Sequence, residues 1–329
     1  MTTPVQRARW LVGALLVGAV VTVVAREVDW QRAATAARAA DVRWLLLAVA
    51  INWTILLLTT ARWLSFLPSG AHVRPTRMFE IVAVTTAVSN AGPMLTGQAA
   101  GIHLLATRGR LGHAAGLSVT ILDQLSEGIA KLALVAAAVL LVPGFPRGVG
   151  AGLLVLIPLA TLGVIALARS PERIAEAAVR RSGRTRSVLA FLAGTAEQLD
   201  ALRRPARFLL GVSLKLVQKA VEGLAIAAVA AALGIALPAW AVLAAVVAVN
   251  LSTLVAVTPG NVIGYEGSAF LAYRAAGVDA GAALALAVIQ HALYLIPLAG
   301  TGALLETARL WRASRSGAAS TPDNGPVAP

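Results

Sequence analysis

The chain has no cysteine, which excludes disulfides, thiolate metal sites and a cysteine nucleophile. Charged residues make up only 13% of its 329 residues, where a water-soluble domain carries about 25%, so a soluble enzyme is not expected. Histidine is scarce as well. The four present, at 72, 103, 113 and 291, form no HExxH or comparable ligand cluster, and no metal is expected. No GxxxxGKS/T stretch provides a phosphate-cradling loop for ATP, and no Ser/His/Asp combination stands in a recognisable local frame. These gaps leave no cofactor to expect and argue against an enzyme. Transport through such a chain would run down a gradient, couple to protons or ions, or depend on a partner.

What the chain has instead is apolar length. Hydrophobic residues reach 58% and the mean hydropathy is +0.78. They fall in stretches near 10–25, 44–61, 78–106, 112–142, 149–168, 208–236, 238–258 and 279–305, lengths that suit a bilayer. The expected fold class is therefore an all-α polytopic membrane protein. Its excess of 28 basic over 15 acidic residues points to orientation and anionic lipid rather than nucleic acid. Ala25 is followed directly by Arg26 and Glu27, without a small-residue cleavage site, so the first stretch reads as an uncleaved span. The 169–207 segment predicts one or two amphipathic helices, and residues after Trp311 a disordered tail. That gives one transmembrane domain over 1–311 and a cytoplasmic tail over 312–329.

Two stretches are interrupted. One break holds Asn90, Gly92, Pro93, Gly97 and Gln98; the other holds Pro259, Gly260, Asn261, Gly264 and Tyr265. Gly and Pro there free backbone groups that lipid cannot satisfy, so the breaks must be buried or line a wet cavity. Arginine placement gives them a shape. The 169–207 segment carries nine arginines and should face the cytoplasm. With eight full crossings and a cytoplasmic N-terminus it would lie outside. If 78–106 and 238–277 are re-entrant hairpins, six full spans remain. Arg7/Arg9, Arg62/Arg74/Arg77, Arg108/Arg110, the nine-arginine segment and Arg309/Arg312/Arg315 then share the cytoplasmic side, 19 of 25 arginines. The hairpins would enter from opposite faces, as in an inverted repeat with its site at mid-membrane. Both termini would be cytoplasmic, and the membrane would be a bacterial cytoplasmic (inner) membrane.

All three lysines lie within apolar stretches. Asp123, Glu127 and Lys131 are spaced four apart and form one helical stripe; Lys215, Lys219 and Glu222 form a second. Each such charge costs at least about 2.5–3.5 kcal/mol to insert, so the six need partners or water. Opposite signs suggest that Asp123 and Glu127 face Lys215 and Lys219, with Lys131 near Glu222. A structural ion-pair ladder and a headgroup cavity both fit that pattern. Glu266 either caps the half-helix that follows the second break or serves the site, and Arg274 lies further along that half-helix. Gln290 and His291 precede Pro297 in the last stretch, and His103 lies near a helix end. The seven tryptophans read as an interfacial belt.

The second break, Thr258-Pro259-Gly260-Asn261-Val262-Ile263-Gly264-Tyr265-Glu266, resembles the TPGGLGxxE signature of the lysylphosphatidylglycerol synthase transmembrane region, a flippase-like membrane family. The flanks agree: Ser213 to Leu237 before it, and Ala275-Ala276-Gly277-Val278 with the proline-bearing last helix after it. Pro93 and Gly97-Gln98, then Asp123-Gln124 and Glu127, are similar to the family's first-half pattern, so the resemblance spans roughly 10–310. It implies lipid flipping, with aminoacylated phosphatidylglycerol as the lipid of the two-domain relatives. Only 18 residues follow Trp311, so the resemblance implies no tRNA-dependent synthase activity here. Gln98, Gly101, Gln124, Asn261 and Ile263 replace the family's Glu, Arg, Arg, Gly and Gly, which removes charge from headgroup positions and leaves the lipid open.

The expectation is a lipid flippase whose two hairpins meet at a mid-membrane pocket. Asp123, Glu127, Lys131 and Lys215 would line it with Lys219, Glu222, Glu266 and Arg274. Its partners would be anionic phospholipids or a lipid-linked substrate. Two rivals stand beside it: an accessory subunit docking a membrane enzyme partner, and an integral membrane transferase using a lipid-linked donor.

Overall fold

The computed structural model describes residues 38–91, 96–145, 147–168, 170–199, 204–253 and 261–318, with Gln31, Thr35 and Leu202. Among these residues every regular element is helical. Helix α1 (Val42–Ser65) begins at Asp41, whose side chain accepts the Arg43 N–H, the usual way to satisfy an orphan donor at a helix start. Helices α2 (Pro75–Ala91) and α3 (Thr96–Thr107) follow, then α4 (His113–Leu141). Three linking helices come next: α5 (Arg147–Ala168), α6 (Pro171–Val179) and α7 (Gly183–Glu197). The second half comprises α8 (Pro205–Ala232), α9 (Ala239–Ser252), α10 (Val262–Ala275) and α11 (Ala280–Ala318).

Among the described residues three helices are long and apolar enough to cross a membrane: α1, α4 and the Ala280–Arg312 part of α11. Helix α8 has the length, at 28 residues, but carries Lys215, Lys219 and Glu222 along its middle. By contrast α2, α3, α9 and α10 have 17, 12, 14 and 14 residues. At 1.5 Å per residue these are roughly 18–26 Å long, short of a hydrocarbon core of about 30 Å. The chain is a multi-pass helical membrane protein. Exposed Val155, Leu159 and Leu162 on α5, and Leu209, Leu210 and Leu224 on α8, give it an apolar exterior.

The two halves follow one plan: a long helix, a pair of short helices, then a second long helix. Each short pair packs together, α2 on α3 and α9 on α10. The long helices α1 and α8 pack on each other, while α2 packs on α11 and α9 on α4. Each short pair therefore leans on the long helix that ends the other half. Two cores result. One joins Leu56, Phe66, Met78, Ile81, Leu105 and Leu122 of the first half. The other joins Ile226, Val229, Val246, Phe270, Leu284 and Leu286 of the second.

Small residues set the closest approaches. A Cβ on Gly97 would collide with Ser89 across the α2–α3 pair, and one on Gly302 with the Ala83 carbonyl. Gly101 lies under the Trp63 ring and Thr85. Close backbone contact through small residues is how helices gain packing where lipid supplies no hydrophobic drive.

Several expectations change here. Asn90 is helical in α2, and Gly97 and Gln98 are helical in α3, so these three residues do not break the helix. Gly97 is there for contact rather than for a turn. Gly92, Pro93, Pro259 and Gly260 lie outside the described residues, as does the first apolar stretch. Asn261 is left-handed, with φ 52°, at the start of α10, and Gly264, Tyr265 and Glu266 are already helical. Helix α11 runs on to Ala318, so 312–318 are helical where a tail was expected. The 169–207 segment holds two helices, α6 and α7, packed together. Trp63 is a core residue, 5% exposed, and Trp53 stands midway along α1, so these two depart from the expected interfacial belt.

Candidate functional site

A cavity of about 550 Å³ lies where the two halves meet, and all eight of their helices contribute to its wall. The short pairs bring their linked ends to it. Ser89 and Asn90 come from α2 and Gln98 from α3; Thr253 and Asn261 come from the ends of α9 and α10, with Tyr265 beside them. The Asn261 side-chain amide donates to Ser252 Oγ at 2.9 Å and ties the second pair together at its tip.

The charged wall comes from α4 and α8. Glu127 is its centre, with Lys215 Nζ at 2.5 Å, Lys219 Nζ at 3.3 Å and Lys131 Nζ at 3.4 Å. One carboxylate thus faces three ammonium groups. The remaining charge is taken up nearby: Lys219 also reaches Glu222 at 3.2 Å and the Asn250 side-chain oxygen at 2.5 Å. Asn250 in turn donates to Glu222 Oε2 at 3.0 Å. Lys131 donates to Thr253 Oγ1 at 2.9 Å, so its ionic partner is Glu127 and not Glu222 as the stripe pattern suggested.

Asp123 also departs from expectation. Its carboxylate accepts from Arg62 Nε at 2.7 Å rather than from a lysine, and Arg62 Nη1 donates to Gln218 Oε1 at 2.8 Å. Arg62 is 1% exposed, so it belongs to the buried network and is no marker of a membrane face. With Arg62 removed, the arginines counted toward the cytoplasm fall from 19 to 18 of 25. Three carboxylates (Asp123, Glu127, Glu222) and three lysines line the cavity among the described residues, so their formal charges balance.

A second polar cluster closes the wall on the α10–α11 side. Glu266 Oε1 lies 2.9 Å from His291 Nδ1, within hydrogen-bond distance, and the Tyr265 ring stacks on His291 with centroids 4.1 Å apart. Gln290 donates to the Tyr265 hydroxyl at 2.7 Å and accepts from buried Tyr273. Glu266 is the fifth residue of α10 and its Oε1 is committed to His291, which removes the capping role. Its Oε2 is buried with no hydrogen-bond partner among the described residues. Arg274 stands apart from all of this. It is exposed at the end of α10 and donates to the Val278 carbonyl at 2.7 Å, so it does not line the cavity. His103 is exposed, its ring 6.3 Å from His113.

The structure thus gathers Asp123, Glu127, Lys131, Lys215, Lys219 and Glu222 at one cavity, with Glu266 behind its wall. Sequence reasoning missed Arg62, Gln218, Asn250 and Asn52. Gln218 was findable, because it shares the helical face of Lys215, Lys219 and Glu222. Asn250 was an amide alone in an apolar run. Asn52, which donates to the Leu293 carbonyl at 3.1 Å, gave the same signal. Arg62 gave none, since a basic residue at the end of a span ordinarily reads as a flank.

Fold and cavity together define a multi-pass helical membrane protein with a charge-bearing cavity between two similarly built halves. The chain belongs to the family described as the lysylphosphatidylglycerol synthase transmembrane region, whose model matches residues 10–302. A comparison with curated proteins finds no match. Membership places the protein among membrane regions concerned with lipid.

Proposed function

We propose that the protein is a lipid translocase that takes the headgroup of a phospholipid or lipid-linked molecule into the central cavity while the acyl chains stay in the bilayer. The single observation that carries this is the cavity itself: about 550 Å³, lined by three carboxylates and three lysines, and reached by both short helix pairs. Buried charge on this scale is costly in lipid and is kept where a polar pathway needs it. The Asn90, Gln98 and Asn261 amides add neutral donors and acceptors at the tips. The anionic phospholipid or lipid-linked substrate is recognised by this set, with no nucleotide or metal taking part, and the chain is not an enzyme.

In this reading α2–α3 and α9–α10 are re-entrant hairpins and six helices cross. Their short lengths and the exchanged packing of each pair against the other half's last helix support an inverted repeat. The arginine-rich segment and both termini then face the cytoplasm of a bacterial cell.

Reconstitution into liposomes with a headgroup-labelled phospholipid and an external quencher tests the proposal. Wild type is expected to expose inner-leaflet label far faster than protein-free vesicles. Lys219→Gln, Glu222→Gln and Glu266→Gln, each purified as monodisperse protein, should slow it on the order of tenfold or more, as loss of a charge-assisted contact worth about 1.5–3 kcal/mol predicts. Three variants all moving lipid at the wild-type rate would sink the pocket.

One observation favours an accessory subunit instead: the wall's acidic and basic groups balance and bond to one another. A stable membrane enzyme copurifying with a protein that moves no lipid by itself would support that reading.

A further inference from the structure

Away from the central cavity, a second concavity of about 280 Å³ lies where the start of α2, the end of α3 and the last turns of α11 converge. Four arginines line it, Arg77, Arg108, Arg309 and Arg312, against two carboxylates, Glu80 and Glu306. Its net charge is +2, four minus two. The carboxylates are already taken. Glu306 is held by Arg108 through both oxygens, at 2.8 and 2.9 Å, and again by Arg309 at 2.6 Å. Glu80 accepts from Arg77 at 2.9 Å.

The Arg108–Glu306 fork sets this cluster apart from a scatter of surface arginines. Their side chains are only 20% and 27% exposed, so the fork makes a fixed floor. Arg77, half exposed, and Arg309, at 47%, stand above it. Val84 and Leu305 supply an apolar edge, and Leu304, Leu310 and Trp311 on the same stretch of α11 are exposed. Apolar surface beside an arginine cluster, with an exposed Trp at its level, is the environment of the lipid headgroup zone.

We propose that this pocket is a second lipid site, binding the phosphate of an anionic phospholipid at the membrane surface, separate from the central cavity. It sits one helix segment away: ten residues of α2 separate Glu80 from Asn90, about 15 Å at 1.5 Å per residue. A free phosphate would satisfy the arginines but would leave the apolar edge unused, so the bilayer is the source.

Native mass spectrometry of the full chain, titrated with phosphatidylglycerol or phosphatidylcholine, tests it. The expected result is a clear preference for phosphatidylglycerol that falls at least tenfold in Arg77→Ala/Arg312→Ala. Each surface arginine is worth roughly fivefold near an anionic headgroup. Arg77→Lys/Arg312→Lys should keep most of the preference, which separates lost charge from lost fold. The double alanine variant leaves the Arg108–Glu306 fork in place, and its size-exclusion profile should match wild type. Equal retention of both lipids by wild type, or an unchanged preference in the alanine variant, would overturn the site. Displacement of phosphatidylglycerol by equimolar inorganic phosphate would overturn the lipid as its ligand. None of these readouts depends on lipid movement, so the central-cavity reading stands or falls separately.

Discussion

At the scale of single residues, Glu127 carries more of the design than its sequence suggests. Three lysines converge on one carboxylate, and the six-member stripe pattern gave no reason to single it out. Breaking a buried pair by removing one partner costs about 3–5 kcal/mol, because the survivor stays charged and buried. Glu127→Ala leaves three ammonium groups facing one another. It should lower the melting temperature in detergent by several degrees or more, beyond any loss from Glu222→Ala, whose partner Lys219 keeps Glu127. Equal melting temperatures for the two variants would show that the lysines find water instead. Arg62→Met makes a related case: Asp123 loses the guanidinium it bonds at 2.7 Å. A loss of stability on the same scale is expected, although Arg62 stands at the end of a span and reads as a solvent-facing flank.

At the scale of elements, the small-residue contacts decide how near the helices come. Gly302→Val would drive a branched side chain into the Ala83 carbonyl and Ala87, where α11 meets α2. Overpacking costs typically about 1–3 kcal/mol, and here the obstacle is backbone, which cannot rotate away. Gly163→Val on α5 meets nothing within 4 Å and should be neutral or slightly stabilising. Thermal melting followed by size exclusion separates the two. If both glycines tolerate valine equally, α2 and α11 are looser than described. The tips of the short pairs were legible only in outline. Gly, Pro and Asn marked where the chain must interrupt itself, but Gly97 proved to be a contact residue, because nothing in one strand of sequence says what will lie against a missing Cβ.

At the scale of the whole molecule, the natural absence of cysteine makes topology directly measurable. Single cysteines can be placed without background. Ser187→Cys, on α7, should react with an impermeant maleimide only after the cells are opened, and Ala236→Cys, in the exposed turn before α9, in intact cells. His72→Cys and Thr107→Cys flank the α2–α3 pair and are both exposed. A re-entrant pair puts them on one side. Labelling from opposite sides would make that pair a true crossing and would remove the inverted repeat.

The sequence by itself determined the class of molecule and the cast of charged residues. Apolar length and the shortage of charge force a helical membrane protein, because backbone groups in lipid must be bonded within their own helix. Charges at i, i+4 and i+8 necessarily share a face, so the two stripes were readable without coordinates. Which charge meets which was decided by the tertiary structure. Arg62 pairs with Asp123 and Gln218, and Glu266 with His291, and Arg274 is left outside, since partners 25 to 156 residues apart are chosen by how α1, α4, α8, α10 and α11 pack. Helical periodicity fixes the face a side chain occupies; only packing fixes what stands opposite.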